Sequence, residues 1–267
     1  MNAQQKAERQ RDRAWLRECI ARYRAEVARY EKAVARRPNT YLPKLAEAQH
    51  ELGKFHWWRH TQASYRMALK LFMQALRNYD RYRGRRNLML GRLYLLDDLA
   101  KLSVRLDGRS AEQVLFNLLS IYEAMAAADP LIHGTDVAEM LWRLGNLYAD
   151  EQRFDEAERM YLRALDKHAE FDGEDPHRYR PATAQCRRSL GRLYEEMHDD
   201  ARAEEAYLAA AAMLRELCED PFERCNLLRP LAFTLTLLAD LYERRGALGE
   251  AARCRAEAIA LDAEHEA

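Results

Sequence analysis

The chain has 267 residues, 48% hydrophobic and 32% charged, with only 10 Gly and 7 Pro. So few chain breakers favour long helices over many short strands, and no apolar run approaches the roughly 20 residues of a membrane span. Net charge is formally zero, yet 25 of the 43 Lys and Arg but only 11 of the 43 Asp and Glu precede Ala111, so an excess of positive charge is followed by an equal excess of negative charge.

The N-terminal MNAQQKAERQRDRAW is polar and lacks the apolar core of a signal peptide. The five cysteines are odd in number and form no CxxC pair, which suits reduced thiols acting as small apolar residues. Both features point to a cytoplasmic chain.

Residues 3–36 are predicted to form one helix, with Leu16, Ile20, Tyr23, Val27, Tyr30 and Val34 spaced four and three alternately. That stripe can seat on the next helices as a leading cap or pair with a second copy as a coiled coil; its tyrosines favour the cap. PNTYLPKLA at 38–46 opens the next segment, in which Leu52–Gly53 is followed by Ala68, Phe72, Ala75 and Leu76. Within it, FHWWRH places His56 and His60 four apart, a metal-ligand spacing on one helical face. No HExxH glutamate or third ligand accompanies them, so no metal site is expected, and Trp57 and Trp58 read as packing or groove aromatics.

RNYDRYRGRR at 77–86 sets Arg77, Arg81, Arg83, Arg85 and Arg86 around Gly84, with Tyr79 and Tyr82 interleaved. Such a patch can hold phosphates and stack bases. The simpler reading is attraction to acidic protein, including the acidic half of another copy. Next comes LGRLY at 90–94, followed by Ala111, Leu115 and Leu118.

From here the chain repeats itself. LGNLY at 144–148 leads across DEQRFD to Ala157, Tyr161, Ala164 and Leu165. LGRLY returns at 190–194 and leads across HDDAR to Ala203, Tyr207 and Ala210. LADLY at 238–242 leads across RRGALG to Ala251, Ala258 and Ile259. In each unit two helical stripes flank a short polar turn. The helical Gly145 costs about 1 kcal/mol relative to alanine, so its recurrence asks for a packing reason.

These units resemble the tetratricopeptide repeat, whose signature is W-x2-L-G-x2-Y, then A-x3-F, then A. The match is good from about Ala138 to the C-terminus and divergent in the two earlier units. The period is long: 46 residues from Leu144 to Leu190 rather than 34. ADP at 128–130 and EDP at 174–176 and 219–221 place a proline before each new first helix, and PHRYRPATA at 176–184 echoes PNTYLPKLA. The second helix of each unit is therefore expected to gain turns before the proline loop. Arg255 stands where Tyr161 and Tyr207 stand, so the last helix is expected to face water there.

The resemblance implies an all-α, right-handed superhelical array, an α-solenoid of antiparallel helix hairpins. The expected organisation is a capping helix at 1–37, two divergent hairpins at 38–134 and three well-matched hairpins at 135–267. In the family, first helices line a concave groove for peptides. Lys54, Arg92, Asn146 and Arg192 map onto it two residues after the Leu, and Trp142 and Arg188 two before. Guanidinium forks and an amide there suit carboxylates or peptide backbone. Glu139, Asp150, Glu195 and Glu196 lie near enough in sequence to neutralise them.

No phosphate-binding glycine loop, nucleophile elbow or redox pair is present. The expectation is a non-catalytic scaffold or adaptor without cofactor or metal, monomeric or weakly self-associating and not bound to membranes. A protein or peptide is the expected partner ahead of nucleic acid. The alternative is a polyanion-binding regulatory module that uses the basic half.

Overall fold

In a computed structural model, which describes residues 3–82, 89–170 and 176–266, the described residues form eleven α-helices and no strands. They fall into two compact units, Met1–Val114 and Leu115–Ala267.

The first unit holds α1 (Ala3–Val34), α2 (Pro38–Trp57), α3 (Gln62–Arg81), α4 (Met89–Ser103) and the start of α5 (Gly108–Ala128). α1 lies along α2, and Ile20 and Val27 share one core with Leu45, Leu52, Phe55 and Leu71. The apolar stripe of α1 is thus buried inside the unit instead of being left as a coiled-coil seam. α2 and α3 form an antiparallel hairpin. At its turn, Thr61 caps α3 by accepting from the Ser64 backbone N–H, while the Ser64 side chain accepts from the Thr61 backbone N–H, a reciprocal capping box.

The second unit contains the rest of α5 and three hairpins: α6 (Pro130–Asp150) with α7 (Phe154–Ala169), α8 (Pro176–Glu196) with α9 (Asp200–Leu217), and α10 (Pro221–Arg244) with α11 (Leu248–Glu266). Each second helix also packs on the next first helix. Tyr148 and Tyr194 are buried, at 4% and 8% exposure, as stacking of the hairpins requires.

The helical glycines are notches for aromatic rings. A Cβ on Gly145 would lie 2.5 Å from Tyr161 Cε1, one on Gly191 2.4 Å from Tyr207 Cε1, and one on Gly53 2.4 Å from Phe72 Cε1. All three rings are almost fully buried. In α10 the same position is Ala239, and there the facing ring is gone, because Arg255 replaces it. Arg255 reaches back to Asp240 and Glu243, each at 2.8 Å. The Arg255 side chain is still 42% exposed, so the last helix faces water there as expected, while the guanidinium bonds within its own hairpin. Water also reaches Ile259, placed in the buried stripe by sequence but 66% exposed.

Each hairpin turn contains one left-handed residue: His60 (φ 51°), Gln152 (59°), His198 (60°) and Gly246 (76°). A side chain costs about 1 kcal/mol in that conformation, which glycine avoids. His198→Gly is expected to stabilise the protein by up to about 1 kcal/mol, read as a higher urea midpoint at unchanged slope.

Two further expectations are corrected. The long period comes chiefly from the first helices, of 21, 21 and 24 residues in α6, α8 and α10, against 16 and 18 in α7 and α9. Proline at a first helical position lacks only an N–H that would be orphaned anyway, so the added turns can follow it. Pro43, Pro181 and Pro230 even lie inside their helices. The first LGRLY also does not repeat the second. Leu90 and Tyr94 are 62% and 66% exposed, and Leu95, Leu96, Leu99 and Leu102 are buried in their place. Leucines surround α4 on several faces, so its motif does not dictate which face packs; Gly91 instead faces the Tyr79 hydroxyl of α3.

Candidate functional site

The first helices of the second unit carry four of the six groove residues named from sequence. Trp142 on α6 donates its indole N–H to Ser189 Oγ on α8 at 2.9 Å, stapling two first helices together. One turn later, Asn146 accepts from the Tyr161 hydroxyl through Oδ1 at 2.7 Å, which leaves its amide N–H groups free to donate outward. Burial raises the Tyr161 hydroxyl pKa well above its ordinary value.

Arg188 is half-buried. Its guanidinium lies 5.1 Å from the centre of the Phe233 ring on α10, and Nη1 donates to the Pro230 carbonyl at 3.4 Å. Burial, then the positive charge of Arg192, lowers its pKa from the ordinary arginine value. Pro230 sits inside α10, and its carbonyl also accepts from the Thr234 hydroxyl at 2.8 Å. Arg192, one turn further along α8, is exposed and has no ion pair among the described residues. It borders a small depression with Asn146, Ser189, Asp150 and Glu196.

The acids expected to neutralise this face divide into two groups. Glu139 bonds Arg143 on its own helix at 2.9 Å. Glu195 is held by the Tyr207 hydroxyl at 2.6 Å and by Arg244. Asp150 and Glu196 do stand beside Arg192. Neighbouring hairpins are also stitched by a recurrent bond that the repeat signature does not announce. Tyr194 donates to Glu158 at 2.8 Å and Tyr242 to Glu204 at 2.9 Å, each glutamate being shared with an arginine, Arg202 or Arg245. Burial, and then these carboxylates, push both hydroxyls up to about 12.

In the first unit the other groove candidates are engaged. Lys54 pairs with Glu51 at 2.5 Å and Arg92 with Asp80 at 2.9 Å. His50 bonds Asp98 at 2.7 Å. In the basic run, Arg77 and Arg81 are exposed, while Arg83, Arg85 and Arg86 lie outside the described residues. Tyr79 is buried, its hydroxyl pushed up to about 12 by burial and then by Glu47 and Glu51, so it offers no face for a base. His56 and His60 do not share a helical face. α2 ends at Trp57 and His60 has turned into the left-handed region, where Nδ1 meets the Tyr65 hydroxyl at 3.3 Å. The spacing of four had assumed a helix that stops between them.

Sequence reasoning missed a groove in the first unit lined by Arg13, Arg17, Arg24, Arg59 and Trp58. The visible signal was basic residues along α1 outside its apolar stripe; their meeting with the α2–α3 turn required the fold.

No helix among the described residues is long and apolar enough to cross a membrane. The five cysteines are unbridged, and burial pushes the Cys186 thiol up to about 12.

Known proteins place this architecture. The tetratricopeptide repeat profile matches residues 136–216, within α6 to α9. BtubC (BKLC) from P. vanneervenii superposes with a TM-score of 0.63 at 23% identity, over 94% of this chain and 92% of that one. The nearly identical TPR-like repeats assigned to a Podosopora anserina kinesin light chain superpose with a TM-score of 0.52 at 17% identity, over 83% and 97% of the two chains. No curated protein matches the chain in sequence. At these identities the superpositions speak for the fold alone: the described residues form a helical array like that of tetratricopeptide-repeat proteins, and residues 136–216 match the tetratricopeptide repeat itself.

Proposed function

We propose that the chain is a non-catalytic scaffold that captures a segment of another protein on the first-helix face of its second unit, around Asn146 and Arg192. Tetratricopeptide repeats generally serve as non-catalytic protein–protein interaction scaffolds, which supports the class of function. The observation that carries the site is Arg192, an exposed guanidinium without an ion pair among the described residues, beside the outward amide of Asn146.

Asp150 and Glu196 add acceptors to these donors. A surface offering both suits the alternating N–H and C=O groups of an extended peptide better than a lone terminal carboxylate. Trp142 and Arg188 support this surface from below rather than contacting the ligand.

Selection of a displayed random dodecapeptide library against the whole chain tests the reading. Enriched peptides are expected to bind about tenfold or more weakly to Arg192→Glu and to Asn146→Leu, since each change removes donors that no neighbour replaces. Peptides that bind both variants as tightly as the parent would remove this face from the interaction.

A further inference from the structure

A stretch of unneutralised positive charge on described side chains lies in the first unit, on helices other than those of the face proposed above. α1 runs beside the end of α2 and the turn into α3, leaving an open groove of about 1030 Å³ lined by Arg13, Leu16, Arg17, Ile20, Arg24, Trp58 and Arg59. Its floor is apolar: Ile20 belongs to the core, and Leu16 packs against it. Its rim is cationic. Arg13, Arg17, Arg24 and Arg59 are exposed and have no carboxylate partner among the described residues.

Four arginines of the second unit show the contrast. Arg202, Arg215, Arg224 and Arg255 each bond a glutamate or aspartate within 3 Å. The aromatic wall is open as well. Trp15 and Trp58 stack at 6.1 Å, and each is about half exposed, although an indole pair gains by being covered. Behind the floor, the His56 pKa is lowered first by burial and then by Arg59 and Arg24, which reports the positive field of the rim.

We infer that the groove between α1 and the α2–α3 turn is a docking site for an acidic amphipathic segment of another protein, its carboxylates meeting Arg13, Arg17, Arg24 and Arg59 and its apolar side chains covering Leu16, Ile20 and Trp58. Charge complementarity selects the sign of the partner. The aliphatic floor selects its other face, because Leu16 and Ile20 reward alkyl side chains and offer a sugar–phosphate chain nothing. The groove holds several side chains, more room than a single ion needs. Arg13, Arg17 and Arg24 follow α1 at spacings of four and seven, one turn and then two, so all three lie on one face and a segment lying along that helix meets each in turn.

The test uses the full chain and a labelled sixteen-residue peptide with leucines at three- and four-residue spacing and glutamates on the flanking positions. Three comparison ligands accompany it: the same peptide with serine for leucine, polyglutamate of equal charge, and oligothymidine of equal charge. Fluorescence anisotropy at physiological salt is expected to show saturable binding of the leucine peptide, with the comparison ligands at least about tenfold weaker. Arg17→Glu is expected to weaken binding about tenfold and Arg17→Glu/Arg24→Glu about a hundredfold. Both side chains are exposed, and an unchanged circular-dichroism melt is to confirm that the double variant folds; Arg17→Gln/Arg24→Gln serves in its place if it does not. Absence of binding by the leucine peptide overturns the proposal, as does equal binding of polyglutamate or oligothymidine, or an affinity untouched by the arginine changes. None of these variants alters the Asn146–Arg192 face, so the two readings stand or fall separately.

Discussion

Gly191→Ala is expected to destabilise the protein by about 1–3 kcal/mol, although alanine is the better helix former by about 1 kcal/mol. The new methyl would lie 2.4 Å from Tyr207 Cε1. That ring cannot retreat, because Tyr207 is fully buried and its hydroxyl is tied to Glu195 at 2.6 Å. Tyr207→Ala by itself is expected to cost about 3–5 kcal/mol through the cavity it leaves.

In the double variant the clash disappears. Adding Gly191→Ala to Tyr207→Ala should therefore be neutral or stabilising by up to about 1 kcal/mol, reversing the sign it has alone. Gly249→Ala is the control, since nothing lies within 4 Å of its would-be Cβ, and it should not destabilise. Urea unfolding of the four proteins of the cycle checks this. Additive free energies would show that the glycine is not a notch for the ring.

The second large effect separates two arginines that sequence alone treats alike. Arg188→Glu is expected to destabilise the protein by about 2–3 kcal/mol, whereas Arg192→Glu should change stability by less than about 0.5 kcal/mol. The charge change is identical and the positions are one turn apart. Arg188, however, lies over Phe233 and donates to the Pro230 carbonyl from a half-buried site. A carboxylate there would face a ring's negative face and a carbonyl oxygen, both repulsive, with little water to screen them. Arg192 reaches solvent, and its reversal should be felt by a ligand instead of by the fold. Thermal melts of the two single variants check the contrast. Equal losses of stability would contradict the placement of both side chains. Reversing both arginines together would therefore confuse loss of binding with loss of structure.

Much of this protein was written in the order of its residues. Apolar spacing set the helices, the polar turns set the hairpins, and a recurring glycine marked the packing unit, although only the structure shows that an aromatic ring fills its notch. These features are local or repeat with the chain, so the sequence displays them directly. Tertiary structure decided what a motif does at a given place. LGRLY is buried at 190–194 but has Leu90 and Tyr94 exposed at 90–94, because α4 offers leucines on several faces and burial selects among them only once neighbours are present. It also decided which charges are spent. Lys54, Arg92 and Arg188 looked available in sequence and are engaged by Glu51, Asp80 and the α10 backbone, while Arg13, Arg17, Arg24 and Arg59 gather unopposed around an open groove. Packing periodicity is fixed by covalent order, but a long charged side chain takes whichever partner the fold brings within reach, and several of those partners stand tens of residues away in the chain.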